Sequence, residues 1–274
     1  MYKPVQKPKN RHNIRLKIGK TYFTFKRYLQ WWFGGKKFAY TRKETTLDYE
    51  HFSHQTPLLR KLKDVDMYLQ HNKIVNLRIA IPLLNGIIIN PGETFSYWKL
   101  IGRPTKRKGY VEGMILKNGS FEAGIGGGLC QLSNLIYWMT IHTPLTVIER
   151  HRHGFDVFPD SDRTQPFGSG ATCFYNYLDL MIENNTEQPF QLSLEVTDKV
   201  LKGAWKSTFA PICKYEVYEK EHLIQAMYSW YTRHNRIFRK KYDLGGSLLA
   251  DEFVVENHAI MMYAPLLPGS TNIS

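Results

Sequence analysis

Apolar residues recur with a helical period near the start of the chain. Ile18, Tyr22, Phe25, Leu29 and Trp32 fall at i, i+4, i+7, i+11 and i+14, one face of a helix over residues 14–33. Lys17, Lys20, Thr21, Thr24 and Arg27 fall elsewhere around it, and Trp31, Trp32 and Phe33 close it before Gly34-Gly35. Thr56-Pro57 reads as an N-cap with proline at the first helical position, followed by the stripe Leu58, Leu62, Val65 and Leu69. A second helical stretch runs through Ile74, Leu77 and Ile81 to Pro82. Ile87, Ile88 and Ile89 read as a short buried strand stopped by Asn90-Pro91-Gly92.

Residues 109–116 and 120–123 predict a hairpin across Lys117-Asn118-Gly119, because Asn-Gly is a strong two-residue turn signal. From Cys130 to His142 the sequence is apolar almost all round a helix, with Leu132, Leu135, Ile136, Tyr137, Trp138, Met139 and Ile141; such a helix is buried. Strands are expected at residues 145–149, 155–158, 172–177, 178–183, 190–197 and 201–209. The region from Tyr215 onward is mixed, with Gly245-Gly246 expected to turn one strand back on another. The fold class is α+β, with the helix from Cys130 packed on a mostly antiparallel sheet. The expected organisation is a basic arm and helix over 1–55, a core domain over 56–210 and an extension over 211–274 packed on it.

Charge changes the picture at one end only. The 274-residue chain carries a net charge of +13. All of that excess lies in residues 1–43, which hold thirteen lysines and arginines and no acid; the rest of the chain is balanced. A basic amphipathic helix with aromatic residues on its apolar side suits an anionic membrane surface. The alternative is a helix packed on the body with its lysines solvated, and nucleic acid is an unlikely partner. Three cysteines, Cys130, Cys173 and Cys213, argue against a disulfide framework. No secretory signal is visible and no apolar run approaches the ~20 residues needed to span a bilayer. The expected location is the cytoplasm, with peripheral membrane contact as the variant.

The candidate chemistry centres on Gly126-Gly127-Gly128-Leu129-Cys130-Gln131-Leu132-Ser133. A cysteine at a helix start lies among unpaired amides that favour a thiolate; equally, Cys130 can pack as a small hydrophobe. As a nucleophile it would need His151 or His153 as base, and Asp179, Asp160 or Asp162 to orient the imidazole. Gln131, or the amides of Gly126, Gly127 and Gly128, could form an oxyanion hole. The order of cysteine, histidine and acid resembles papain-like cysteine hydrolases and transferases. A metal reading would use His151 and His153 with Asp156, Asp160 or Asp162, but no standard zinc spacing is present, and no metal or cofactor is expected. A non-catalytic reading has the glycine loop line a cleft for a peptidoglycan peptide, a precursor or a partner protein. Tyr97, Trp98 and Trp138 would then be its aromatic walls, or core residues.

Four ordered motifs carry a family resemblance. Asn90-Pro91-Gly92-Glu93-Thr94-Phe95-Ser96, the glycine-cysteine stretch, Glu149-Arg150-His151-Arg152-His153, and Asp179-Leu180 with Ile182-Glu183-Asn184-Asn185-Thr186 resemble those of the VanW family. That family takes its name from an accessory protein of VanB-type vancomycin-resistance clusters. The resemblance implies a link to glycopeptide resistance and the cell envelope, and supplies no reaction. Many relatives carry an export or membrane segment, which is not apparent here. Where the family tends to have Gly-x-Asp-Ala-Thr, this chain has Gly168-Ser169-Gly170-Ala171-Thr172, without the acid.

Overall fold

A computed structural model describes residues 12–59, 66–117, 119–157, 164–227 and 229–265. The chain opens with α1 (Asn13–Phe33), as its period requires. Its docked face is not the apolar stripe. Arg27 and Trp31 are buried against the body, whereas Ile18, Tyr22, Phe25, Leu29 and Trp32 face outward. After β1 (Lys37–Phe38) comes β2 (Tyr49–Pro57). Here Thr56-Pro57 ends a strand instead of starting a helix. The β2 strand lies at the edge of its sheet, and Leu58 N–H bonds inward to Lys199. The alternating backbone therefore turns the donor-less nitrogen of Pro57 to the open side, where it costs no ladder bond. Leu62 and Val65 of the expected stripe lie outside the described residues.

The next helix, α2 (Met67–Leu84), runs past Pro82 instead of ending there. Arg42 donates to the carbonyls of Pro82 and Leu83, satisfying the last turn. Then follow β3 (Ile88–Ile89), β4 (Glu93–Ser96) and the short α3 (Tyr97–Ile101). The hairpin is β5 (Glu112–Lys117) and β6 (Ser120–Ile125), with Lys117 opposite Ser120 as the Asn-Gly turn predicts. Next come α4 (Cys130–Thr140), β7 (Thr146–Glu149), β8 (Phe155–Asp156), β9 (Met181–Glu183), β10 (Phe190–Val196) and β11 (Val200–Ser207). Residues 172–177 form no strand; a single bridge joins Phe174 to Leu178. The C-terminal region holds three long strands, β12 (Cys213–Met227), β13 (Trp230–Asp243) and β14 (Leu248–Met261).

The strands assemble as three four-stranded sheets, β1-β4-β9-β7, β2-β11-β10-β3 and β12-β13-β14-β8, plus the β5-β6 hairpin. Among the described residues only β1-β4 and β14-β8 pair in parallel, so the molecule is α+β with mostly antiparallel sheets. The helix α4 is buried on nearly every side and packs on β2 and β11. The missing side chain of Gly203 on β11 admits the Met139 thioether, which a Cβ there would meet at 2.8 Å. Trp205, also on β11, donates from its indole to Thr140 Oγ1 at 3.1 Å. Full burial of Leu132 and Ile136 contributes about 1.5–3 kcal/mol each.

Candidate functional site

The glycine loop is built for close backbone contact. Gly126 and Gly128 adopt φ of 76° and 87°, which only glycine takes without strain. Gly127 lies against the backbone of Gly113, and a Cβ there would come within 2.1 Å of it. All three amides are committed: Gly126 N–H to Val111 O, Gly127 N–H to Gly124 O and Gly128 N–H to Met114 O. None of them points at a space where an oxyanion could sit. Gln131 is likewise engaged, its amide nitrogen donating to Thr56 Oγ1 and Pro57 O, both at 2.9 Å. It ties α4 to the end of β2.

Cys130 does start α4, but its surroundings oppose a thiolate. Burial pushes its thiol up, with partial relief from a 3.8 Å bond to the Cys173 carbonyl. That carbonyl is its partner among the described residues. Ser133, one turn on, donates to Ala171 O at 2.7 Å. The helix start is thus stitched to the segment over 171–173. Tyr97, Trp98 and Trp138 are all buried in the core; Tyr97 reaches the same helix end through its hydroxyl, which donates to Leu129 O at 2.9 Å.

Among the described residues His151 and Asp179 are joined through Glu149, while the hydrogen bond of the Cys130 sulfur goes to Cys173 O. Asp179 is fully buried and accepts from Ser96 Oγ at 2.5 Å, Trp98 N–H at 2.9 Å and Leu180 N–H at 2.9 Å. Burial still pushes its carboxyl up to about 7. It holds the start of α3 and orients no imidazole. His151 Nε2 lies 2.9 Å from Glu149 Oε1. Glu149 also accepts both terminal nitrogens of Arg27, at 2.7 and 2.5 Å, and the Asp179 N–H at 3.0 Å. Burial would raise the Glu149 carboxyl, but the hydrogen bonds from His151 and Arg27 hold it below its ordinary value. His153 sets its ring edge-on to Phe174, and burial drives its imidazole down to about 4. Asp160 and Asp162 lie outside the described residues.

Two clefts flank this row. One, of about 470 Å³, lies between the segment after β7 and β14, lined by Arg150, His151, Arg152, Glu256, Asn257 and His258 among others. Arg150 spans its floor, donating to Gly170 O at 2.8 Å, Asn257 Oδ1 at 2.8 Å and Gly168 O, over the Tyr137 ring. Arg152 sits 3.6 Å above the centre of the Phe167 ring. The one carboxylate in the lining, Glu256, pairs with Arg236 and His258. The second, of about 360 Å³, opens between α1 and Glu149, with Arg27 and Lys36 on its walls. Among the described residues no group of three histidine, cysteine or acidic side chains could hold a metal ion. Asp156 instead pairs with Arg233 at 3.4 Å.

Sequence reasoning did not find Arg27, Asn257 or His258. Arg27 did leave a signal. It sits four residues before Trp31, off the apolar stripe, in a stretch with no acid to pair with. Asn257 and His258 left none: the Gly245-Gly246 turn marks a strand after it, which β14 fulfils, but nothing in that strand's pattern singles out these two residues. The absent acid of the Gly168-Ser169-Gly170 run also has a local counterpart: a Cβ at 170 would meet Asn134 Oδ1 at 2.5 Å, and that oxygen accepts the Ala171 N–H.

Every motif singled out in the sequence therefore meets in one buried polar network. Ser96, Leu129 to Ser133, Glu149, and Asp179 with Asn184 hold four chain segments together. Asn184 donates to Ile89 O and Gln188 O, and its N–H bonds to Glu93 O. This is an α+β domain defined by a shared interior, with a cationic cleft at its rim. The chain matches the family model described as "VanW like protein" over residues 72–206, which contain all four motifs. It is 36% identical over 185 residues to "Vancomycin B-type resistance protein VanW" of Enterococcus faecalis (strain ATCC 700802 / V583), covering 68% of this chain and 67% of that protein. It is 28% identical over 114 residues to "Uncharacterized protein YoaR" of Bacillus subtilis (strain 168), covering 42% of this chain and 36% of that one. No solved structure matches. The chain belongs to the VanW family.

Proposed function

We propose that this protein is an accessory factor of glycopeptide (vancomycin) resistance that works by binding a cell-wall peptide or precursor. The site is the cleft beside Arg150, His151 and Arg152, and the ligand group it suits is a carboxylate. What carries this reading is the contrast between two places in the molecule. At Cys130, burial opposes the thiolate, His151 is bonded to Glu149, the His153 ring lies against Phe174 and the loop amides are taken. At the cleft, the guanidinium groups of Arg150 and Arg152 line a concave space whose one carboxylate, Glu256, is paired with Arg236 and His258. Guanidinium groups match carboxylates in geometry and charge. The resistance link itself comes from the Enterococcus faecalis relative and its name.

The other reading is a thiol-dependent hydrolase or transferase with Cys130 as nucleophile. One experiment separates the two. A strain whose resistance depends on a protein of this family is complemented with the wild type, Cys130→Ser and Arg152→Gln, each checked for folding by circular dichroism. Binding predicts that Cys130→Ser keeps resistance and Arg152→Gln loses it. In parallel, purified wild type binds a synthetic stem peptide with a free C-terminal carboxylate, and Arg152→Gln binds it at least about tenfold more weakly. Loss of resistance in a folded Cys130→Ser protein would instead establish thiol chemistry.

A further inference from the structure

The docking of α1 leaves an arrangement that the function above does not use. At about 100° per residue, Ile14, Ile18, Tyr22, Phe25, Leu29 and Trp32 occupy an arc of about 80° on the helix. Thr24, Arg27, Tyr28 and Trp31, centred about 130° away by the same pitch, turn toward the body. Arg27 is clamped there by Glu149 and by the Asn176 carbonyl at 3.1 Å. The apolar arc is left in solvent: Ile18 is 65% exposed, Phe25 59% and Trp32 65%. A row of this kind on one helix is more than scattered surface hydrophobics.

The charges around the arc define what covers it. Arg15 and Lys26 flank one edge and Lys17 the other, and residues 1–43 contain no acid. We infer that this face of α1 seats the protein on an anionic lipid surface. The apolar side chains enter the boundary between headgroups and acyl chains, and the flanking cations reach up to phosphate. Trp32 and Phe33 end the helix with rings suited to that boundary. A second copy of the chain is a poor occupant, because pairing two such faces would bring cation against cation. Among the described residues no helix is long and apolar enough to cross a membrane, so the contact is with the surface. Because the docked face lies away from the arc, the body and its clefts need not rearrange on binding.

The test is flotation of the full chain with vesicles of phosphatidylcholine alone and of phosphatidylcholine mixed with phosphatidylglycerol. The protein floats with the mixed vesicles and stays behind with the zwitterionic ones, and added salt releases it in part. The triple variant Ile18→Ser, Phe25→Ser, Leu29→Ser loses at least about tenfold in partitioning. Its urea midpoint falls far less than its partitioning, since Ile18 and Phe25 are 65% and 59% exposed and Leu29 39%. Lys17→Glu with Lys26→Glu weakens binding to the anionic vesicles alone. Equal flotation of wild type and triple variant overturns the inference. So does a wild type that fails to float but dimerises on sizing columns, with the triple variant monomeric.

Discussion

A thiol at the first residue of a helix feels two opposing effects. The unpaired amides there favour the thiolate, and removal from water favours the neutral form. Cys130 is half-buried, and withdrawal of its sulfur from water pushes the thiol up despite the bond it donates to a carbonyl. Asp179 shows the same contest with a different outcome for stability. Three donors hold its carboxylate, yet burial sets its folded pKa at about 7, against about 3.9 in an unfolded chain. The folded state therefore binds a proton more readily than the unfolded state between those values. As pH falls from about 7.5 toward 4.5, wild type gains stability relative to Asp179→Asn, which has no such proton to take up. The expected gain is about 2–4 kcal/mol, read from urea unfolding of both proteins across that range. A constant difference would mean that Asp179 stays ionised on its three donors. At the residue scale the sequence marked these positions as special, and local position alone could not say that burial would dominate them.

Elements were legible where period or turn chemistry was strong. The stripe of α1, the all-round apolar α4 and the Asn-Gly hairpin all stand where their patterns place them. Proline misled twice, at Pro57 and Pro82, because its rules concern a missing donor. At Pro57 the missing donor faces the open edge of a sheet; at Pro82 it leaves the Arg78 carbonyl without its intrahelical donor, and the helix ends two residues later at Leu84. In the C-terminal sheet the Gly245-Gly246 turn correctly marks the reversal between β13 and β14, whereas β12 has no such signal. Along β12, Glu216, Glu219, Lys220 and Glu221 crowd a strand of low burial, so no clean alternation marks it. The glycine loop is where element packing gives a sharp expectation. Gly127→Ala drives a Cβ into the Gly113 backbone, and neither chain can yield without breaking the bonds from Asn76 that clamp both. Urea unfolding of this variant should show a loss of about 3 kcal/mol or more. Gly154→Ala, where nothing lies within 4 Å, should cost less than about 0.5 kcal/mol. Equal effects would show that the loop relaxes freely.

Around the apolar core, three arginines tie distant parts of the molecule together. Arg150 links the core to Asn257 of β14, and Arg27 fastens α1. Arg239 on β13 reaches back to the end of α4. Its guanidinium donates to Ile141 O at 3.3 Å and Thr143 O at 2.9 Å, pairs with Glu252 at 2.6 Å and lies over the Tyr215 ring. A cation at that end also complements the helix dipole and the carbonyls it leaves unpaired. None of these links is visible in the sequence, since each joins residues about a hundred positions apart. They couple the C-terminal sheet to the core, so the amides of β13 should exchange hydrogen only when the whole protein unfolds. Arg239→Met keeps an apolar stem over Tyr215 and removes every donor. The α4 carbonyls then lose their partner, and the sheet gains its own opening reaction. Hydrogen exchange of the variant should show β13 protection lower than that of β10 and β11 by about 1–3 kcal/mol. If protection instead falls equally in all three strands, Arg239 stabilises the fold without latching its two halves, and the coupling must run through Arg150.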